Sequence, residues 1–135
     1  MAEHQPIPES LENVAREIVD AAVKVHQTLG PGLLESVYCA ILAHELRKRK
    51  LRVEVEVSIP DFWDSIRMEI GFRADMIIEG LVILEIKSVE KTATVHAKQL
   101  LTYLRLTGKQ VGLLLNFGCP MMKDGIERVV NNYAE

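Results

Sequence analysis

The feature that most constrains the fold is the stretch of residues 72–88, FRADMIIEGLVILEIKS. It contains two apolar runs, at residues 76–78 and 81–84, with Glu79 and Gly80 between them. Short apolar runs on either side of a glycine predict two strands of a β-hairpin. The rest of the chain is interpreted around this hairpin.

Three charged residues, Asp75, Glu85 and Lys87, lie within this otherwise apolar hairpin. Because side chains alternate along a strand, Glu85 and Lys87 share one face. Asp75 and Glu85 are equally distant from Gly80 in sequence. A loop with an odd number of residues centred on Gly80 places the two carboxylates directly opposite each other, whereas a two-residue turn places them on different faces. A functional site here therefore predicts the odd loop.

Two adjacent carboxylates in an apolar sheet repel each other and lose hydration, so they need a proton, a cation or a metal. Carboxylate oxygens with open positions beside them suit Mg²⁺ or Mn²⁺. Lys87 would orient a water and stabilise charge developing on a phosphate. The alternative is an edge hairpin on which Asp75, Glu85 and Lys87 face solvent. Spacing alone does not decide between these two interpretations.

Three helices are predicted from apolar residues at helical spacing. The first begins with Ser10 as its N-cap and stops at Gly30, and the third covers residues 94–107 and ends at Gly108. The second covers residues 33–49, and its predicted buried stripe consists of Val37, Ile41, Leu42 and Leu46.

Two further strands have contrasting patterns. Residues 51–59 alternate, so Val53, Val55, Val57 and Ile59 are predicted to be buried while Glu54, Glu56 and Ser58 face water. Residues 111–117 are continuously apolar, which is typical of a central strand buried on both faces. The strand–helix–strand order from residue 81 to residue 117 predicts a parallel crossover.

Several polar groups have two interpretations each. The run Arg47, Lys48, Arg49 and Lys50 ends the second helix, where it either compensates the helix dipole or contacts phosphate. The third helix carries His96, Gln99 and Tyr103 along one side, a pattern more typical of a solvated face than of a site when taken alone.

Other segments resemble a known family. Asp75 followed by Glu85-Ile86-Lys87 resembles the signature of the PD-(D/E)XK nuclease superfamily. GLLESVY at residues 32–38 resembles the defining motif of one branch, the GxxExxY proteins. The segments VHQTLGPGLLESVY, FRADMIIEGLVILEIKSVEK, HAKQLLTYLRLTG and VGLLLNFG resemble blocks of that branch in order, over about residues 14–131.

This resemblance implies an α/β fold with a restriction-endonuclease-like core, in which a mixed sheet of four to five strands is flanked by helices on both faces. It implies metal-dependent phosphodiester hydrolysis of nucleic acid, with DNA favoured and Mg²⁺ or Mn²⁺ as cofactor. Asp75, Glu85 and Glu35 would hold the metal, and Lys87 would act in catalysis with them. Gln99 would orient a water or a phosphate oxygen.

The expected substrate contacts come from Tyr103, Tyr38 and the basic residues Arg47, Lys48, Arg49 and Lys50. The loop containing Phe62 and Trp63 departs from the family pattern, which has a Tyr and a Gly in a shorter turn. These two aromatic residues would cover the core, stack on bases or form a dimer contact.

Composition bounds these expectations. The 135 residues carry a net charge of −3, which argues against a protein that coats nucleic acid through a basic surface. Residues 1–9 are predicted to be a flexible arm and residues 10–135 a single domain. With no signal peptide and no membrane-spanning run, the expected location is the cytoplasm, with Cys39 and Cys119 reduced.

The competing hypothesis is a non-catalytic interaction or assembly module that keeps the nuclease fold. The chain is short, its net charge is negative, and no helix that reads nucleic-acid sequence is identified. A homodimer or a partner protein would then supply the missing recognition surface. Intact Asp75, Glu85 and Lys87 argue against this hypothesis.

Overall fold

A five-stranded mixed sheet organises the protein in a computed structural model that describes residues 3–59, 61–63, 66–68, 73–131 and 133–134. Its strands are β2 (Val53–Ser58), β5 (Arg73–Ile78), β6 (Val82–Lys87), β7 (Val111–Asn116) and β8 (Ile126–Val130). They lie in the order β2-β5-β6-β7-β8. Strands β6 and β7 are parallel, and the other neighbours are antiparallel.

Three helices cover the two faces of this sheet: α1 (Glu9–Leu29), α2 (Glu35–Lys48) and α3 (Thr94–Thr107). One core cluster joins α1 and α2 to residues such as Met76, Leu84 and Leu113, and a second joins α3 to Ile83 and Leu114. Alternation along β6 and β7 sends successive side chains into these two clusters. The predicted α/β fold, with a mixed sheet between helices, is confirmed.

Two short antiparallel pairs lie outside the main sheet. Strand β1 (Glu3–His4) pairs with β9 (Tyr133–Ala134), and β3 (Asp61–Trp63) pairs with β4 (Ile66–Met68). The side chains of Phe62 and Trp63 lie outside the described residues, so their predicted contacts stay predictions. Within the described chain, no helix is long and apolar enough to cross a membrane.

The hairpin of β5 and β6 has the odd loop that a functional site predicted. Its last paired residues are Ile78 and Val82, which leaves a three-residue loop. Glu79 and Gly80 have φ of 55° and 65°. Both values lie in the left-handed region of the Ramachandran plot, which is uncommon for a residue with a Cβ such as Glu79. The Glu79 backbone N–H donates to the Arg52 carbonyl over 2.9 Å. Its carboxylate accepts the Arg52 N–H over 2.6 Å.

Helix α3 has the predicted bounds, and Gly108 ends it with φ of 72°. Helix α1 begins at Glu9 with Pro8 at the N-cap position, two residues before the predicted N-cap, so the assignment of Ser10 as N-cap was wrong. Val95, in the first turn of α3, is exposed.

The predicted buried stripe of α2 was partly wrong. Leu42 and Leu46 are buried, but Val37 and Ile41 remain 36% and 37% exposed. Tyr38 is buried instead, and its ring stacks on Phe117 with 4.5 Å between the ring centroids. Burying a tyrosine ring against an aromatic partner removes more apolar surface from water than burying a valine, so α2 is rotated toward that contact.

Val55 was also predicted to be buried, yet it is 49% exposed. The next residue, Glu56, has φ of 50°, which interrupts the regular alternation of β2. Val53 and Ile59, on either side of this irregularity, are buried as predicted. Val55 therefore lies on a surface, and that surface is part of the candidate site.

Candidate active site

Asp75 and Glu85 lie opposite each other on β5 and β6, where the register continues from the Met76–Leu84 pair. The backbone N–H of Ile86 donates to Asp75 Oδ2 over 2.7 Å. The backbone N–H of Asp75 donates to Glu85 Oε1 over 3.4 Å. Each carboxylate thus accepts a hydrogen bond from the opposite strand, and these bonds hold the two acidic groups side by side.

Burial makes this pair electrostatically unfavourable. Glu85 is 6% exposed. Desolvation, followed by the negative charge of Asp75, raises the pKa of Glu85 to about 8, although the Asp75 backbone bond and the charge of Lys87 act in the other direction. Near neutral pH the carboxylate pair therefore retains a proton unless a cation takes its place.

Lys87 follows Glu85 by two residues on β6, so both side chains project from one face. Its positive charge lowers the pKa of Glu85. The Lys87 carbonyl accepts the Phe117 N–H over 2.8 Å, which ties the end of β6 to β7. The three residues predicted from the hairpin are therefore brought together.

A cleft of about 510 Å³ opens beside Asp75, between α2 and β2. Three of the residues that line it are acidic, namely Glu35, Glu56 and Asp75, and Arg47 contributes a positive charge. Glu35 is the first residue of α2. The structure therefore places the predicted additional acidic residue in the same cleft as Asp75.

Glu56 is a cleft residue that the sequence reasoning missed. The pairs Val55–Met76 and Val57–Ala74 flank it, so its position on β2 is opposite Asp75. In the sequence it belongs to an alternating Glu54–Glu56 pattern, which is typical of a solvent-facing strand surface. That local pattern does not predict the strand register that places Glu56 opposite Asp75.

Cys39 lies among the carboxylates of the site. Burial raises the pKa of its thiol to about 12, and the negative charges of Asp75, Glu35, Glu85 and Glu56 add to this effect. The thiol is therefore neutral and a poor nucleophile at ordinary pH. Its environment shows that acidic groups from α2, β2, β5 and β6 converge on one region.

The donor chemistry of the hairpin fits a hard divalent cation. In the part of the chain that the structure describes, no group of three or more His, Cys, Asp or Glu side chains is arranged to hold a metal ion. Mg²⁺, however, is usually bound through one or two carboxylates, with water and phosphate oxygens completing its coordination. Asp75 and Glu85 supply two such carboxylates, and Glu35 shares the cleft without completing a three-residue group.

A family model described as the PD-(D/E)XK nuclease superfamily matches residues 12–129, most of the chain. The chain belongs to the PD-(D/E)XK nuclease superfamily. Nucleases of this superfamily generally use Mg²⁺ or Mn²⁺. Comparison with curated proteins gave no significant match, and comparison with solved structures gave none either.

The two residues that the resemblance placed on α3 differ in their surroundings. Gln99 is exposed. Tyr103 is buried, and its pKa is raised by burial and then by the negative charge of Glu85, while a hydrogen bond with the Arg73 backbone lowers it. The negative charges of Glu85 and Asp75 both raise the pKa of Tyr103, so its hydroxyl lies within the electrostatic influence of this carboxylate pair.

Tyr38 does not lie on an open surface. It is 0% exposed, and its hydroxyl donates to the Gly30 carbonyl over 2.5 Å. The same oxygen accepts the Leu33 N–H over 3.2 Å. These contacts fix the loop before α2, so the structure does not bring Tyr38 to substrate in the way that the sequence predicted.

The predicted basic run is divided between two environments. Arg47 lines the cleft, and its guanidinium also donates to the Val53 carbonyl over 3.1 Å. Arg49 forms ion pairs with Glu17, Asp20 and Glu45. Arg49 therefore joins α2 to α1, whereas Arg47 is the member of the run that faces the cleft.

Neither Lys48 nor Lys50 is among the described residues that line the cleft. Lys48 lies 3.8 Å from a Glu45 carboxylate oxygen, one turn away on α2. Lys50 follows the helix with φ of 68° and is exposed. The dipole-compensating interpretation of the run thus fits these two lysines, and their phosphate contacts stay predictions.

Proposed function

We propose that the protein hydrolyses phosphodiester bonds of nucleic acid in a metal-dependent reaction, with DNA as the favoured polymer. The observation that carries this proposal is the three-residue hairpin loop, which sets Asp75 against Glu85 with Lys87 two residues further on. Superfamily membership supports a nuclease-type activity. The polymer and the cofactor are part of the proposal.

Asp75 and Glu85 are the residues that would hold the cation, with Glu35 available from the cleft wall. A Mg²⁺ or Mn²⁺ ion bound there would act as a Lewis acid that withdraws negative charge from the scissile phosphate. Glu85 must release its proton to act as a ligand, so a raised pKa makes binding weaker at acidic pH and stronger as pH rises.

The remaining roles belong to positive and polar groups. The Lys87 ammonium would stabilise charge that develops on a phosphate oxygen during attack. Arg47 lies in the same cleft as Asp75, so we place it at a neighbouring phosphate. Gln99 and Tyr103 are proposed to position phosphate or water from α3, and the effect of the Glu85 charge on the pKa of Tyr103 supports this role for Tyr103.

The experiment combines metal binding with cleavage. Mg²⁺ and Mn²⁺ are titrated calorimetrically into the wild type, Asp75→Asn and Lys87→Met, and each protein is then incubated with labelled single- and double-stranded DNA and RNA. We expect Asp75→Asn to lose both metal binding and cleavage. Lys87→Met should keep metal binding while its cleavage rate falls about 100-fold or more.

Glu54→Gln is the matched control, because Glu54 is an exposed carboxylate on β2. It should retain both properties. Full metal-dependent cleavage by Asp75→Asn or Lys87→Met would refute the proposed site. Cleavage of RNA alone would correct the polymer and leave the site in place.

A second candidate is a non-catalytic interaction module, favoured by an apolar surface on and before α2. Leu33, Leu34, Val37 and Ile41 are all exposed there. Clustered exposed apolar residues commonly mark protein interaction sites. Metal binding without cleavage of any polymer, together with a dimer or a partner complex that Leu34→Ser disrupts, would favour this function.

We also propose membership of the GxxExxY branch and a cytoplasmic location. The branch assignment is supported by residues 32–38, GLLESVY, of which Glu35 lies in the cleft and Tyr38 in the core. Cys39 and Cys119 are both free thiols, which is typical of a reducing compartment.

A further inference from the structure

Asn116 is a buried polar residue next to the candidate site that the functions proposed above do not use. It is the last residue of β7 and is 2% exposed. In the parallel pairing of β6 and β7 its register partner is Lys87. A buried amide costs free energy unless its donor and acceptor are both hydrogen-bonded, so its partners show what it holds.

The Asn116 amide binds the chain just beyond Lys87. Its Oδ1 accepts the backbone N–H of Val89 over 3.1 Å and that of Gly118 over 3.0 Å. Its Nδ2 donates to the Val89 carbonyl over 2.9 Å and contacts Cys119 Sγ at 3.4 Å. The side chain thus pairs with both polar groups of Val89, as the backbone of an additional strand residue would do.

These bonds extend the attachment of β6 to β7 past the end of the sheet. The Phe117 N–H holds the Lys87 carbonyl over 2.8 Å, and Asn116 holds Val89 two residues later. Between them, the Ser88 hydroxyl donates to the Leu33 carbonyl over 2.5 Å. The segment after Lys87 is therefore fixed to β7 on one side and, on the other, to the loop that leads into Glu35.

Close packing of backbone around Asn116 restricts what can replace it. A Cβ on Gly118 would lie 2.2 Å from the Val89 carbonyl oxygen, and one on Gly125 would lie 2.2 Å from the Asn116 carbonyl oxygen. Glycine at these two positions therefore lets the backbone approach Val89 and Asn116 closely. Aspartate would lose the donor, and alanine would leave the Val89 and Gly118 groups without these bonds.

We propose that Asn116 is a positioning residue that holds the end of β6, and with it the Lys87 side chain, in register with the carboxylate pair. That Lys87 acts on substrate rests on the function proposed above. The hold on residues 87–89 is a property of the fold and is testable without any substrate.

The first test compares Asn116→Ala and Asn116→Asp with Val111→Ala. Val111 is fully buried at the opposite end of the same strand, so its truncation perturbs β7 without touching residues 87–89. Amide hydrogen exchange and side-chain relaxation of Lys87 are measured by NMR. Asn116→Asp has the shape of the native residue and keeps its acceptor, so it serves if the alanine variant fails to fold.

We expect the Val89 amide to exchange about 100-fold faster in Asn116→Ala, because the substitution removes the oxygen that accepts the Val89 N–H. This increase is measured relative to any change in the slowest-exchanging core amides, which report global unfolding. Lys87 should gain side-chain mobility in both Asn116 variants. Val111→Ala should leave both observables as in the wild type. Unchanged Lys87 mobility in folded Asn116→Asp and Asn116→Ala would overturn the proposal.

The second test is kinetic, at a temperature where all variants are folded. Misplacing a catalytic group by about 1 Å can cost about 100-fold in rate, so kcat should fall by about that factor in Asn116→Ala while KM changes little. Val111→Ala should keep the wild-type kcat. An Asn116→Ala protein with wild-type kcat would overturn the proposal. Absence of cleavage by the wild type would count against the nuclease function alone, because the NMR test still decides the positioning role.

Discussion

Glu85→Gln should remove a pH dependence of folding stability that the wild-type protein carries. The pKa of Glu85 rises from an ordinary 4.5 to about 8 in the folded protein, mainly through burial and then through Asp75. Between these two values the unfolded chain has lost this proton while the folded protein retains it. Raising the pH through this window therefore lowers the free energy of unfolding of the wild type.

The size of the effect follows from the two pKa values. They differ by about 3.5 pH units, and each unit corresponds to about 1.4 kcal/mol, which gives about 5 kcal/mol across the whole window. Domains of this kind are stable by only about 5–15 kcal/mol. Ionising Glu85 without a cation therefore costs a large fraction of the total stability.

The assay is urea unfolding at pH 5, 6, 7 and 8 without divalent cations, for the wild type, Glu85→Gln and the control Glu54→Gln. Glutamine keeps an oxygen that can accept the Asp75 N–H, so the substitution removes the titration with little change of shape. Subtracting the Glu85→Gln profile from the wild-type profile isolates the contribution of Glu85. A difference that is flat or rises with pH would refute the reasoning, as would loss of the slope in Glu54→Gln.

Three further predictions concern the surroundings of this pair. Asp75→Asn should lower the pKa of Glu85 but leave it above 4.5, because burial is the larger cause of the shift. The pKa is measured by carbon-13 NMR of the Glu85 carboxyl group, and a value of 4.5 in Asp75→Asn would contradict this prediction. Cys39, with a pKa of about 12 in place of 9.0, should hold about 1000-fold less thiolate at pH 8 than an unperturbed thiol, so its alkylation should be slow until the protein is unfolded in urea. Fast alkylation of the native protein would be inconsistent with burial among carboxylates. Tyr38→Phe should cost about 1–2 kcal/mol in urea unfolding, since it removes the hydroxyl bond to Gly30 but keeps the ring stacking, and an unchanged midpoint would show that the loop is held by other contacts.

The elements that local patterns define were predicted well. The charged positions of the hairpin, symmetric about Gly80, predicted an odd loop on condition that they form a functional site, and the structure has that loop. Gly108 marked the end of α3 in the same way. In both cases a glycine with positive φ lies where the chain must turn or stop, so neighbouring residues alone carry the information.

The orientation of α2 shows where local patterns fail. Its sequence offers an apolar stripe through Val37 and Ile41, and another residue, Tyr38, between them. The helix buries Tyr38 because Phe117, far along the chain, provides an aromatic partner. Which side of a helix packs depends on the surface that it meets, and that surface exists only after β7 has joined the sheet.

Alternation and turn chemistry act over a few residues, so the local sequence was enough to predict the hairpin and the common face of Glu85 and Lys87. It left two turns open, and the observed three-residue loop is the one that brings Asp75 opposite Glu85. By contrast, the position of Glu56 opposite Asp75 across β2 and β5, and the hold of Asn116 on the chain beyond Lys87, are seen only in the folded protein. Those contacts depend on strand register and on burial between distant segments. Their physical cause is the packing of the whole sheet, which no short stretch of sequence contains.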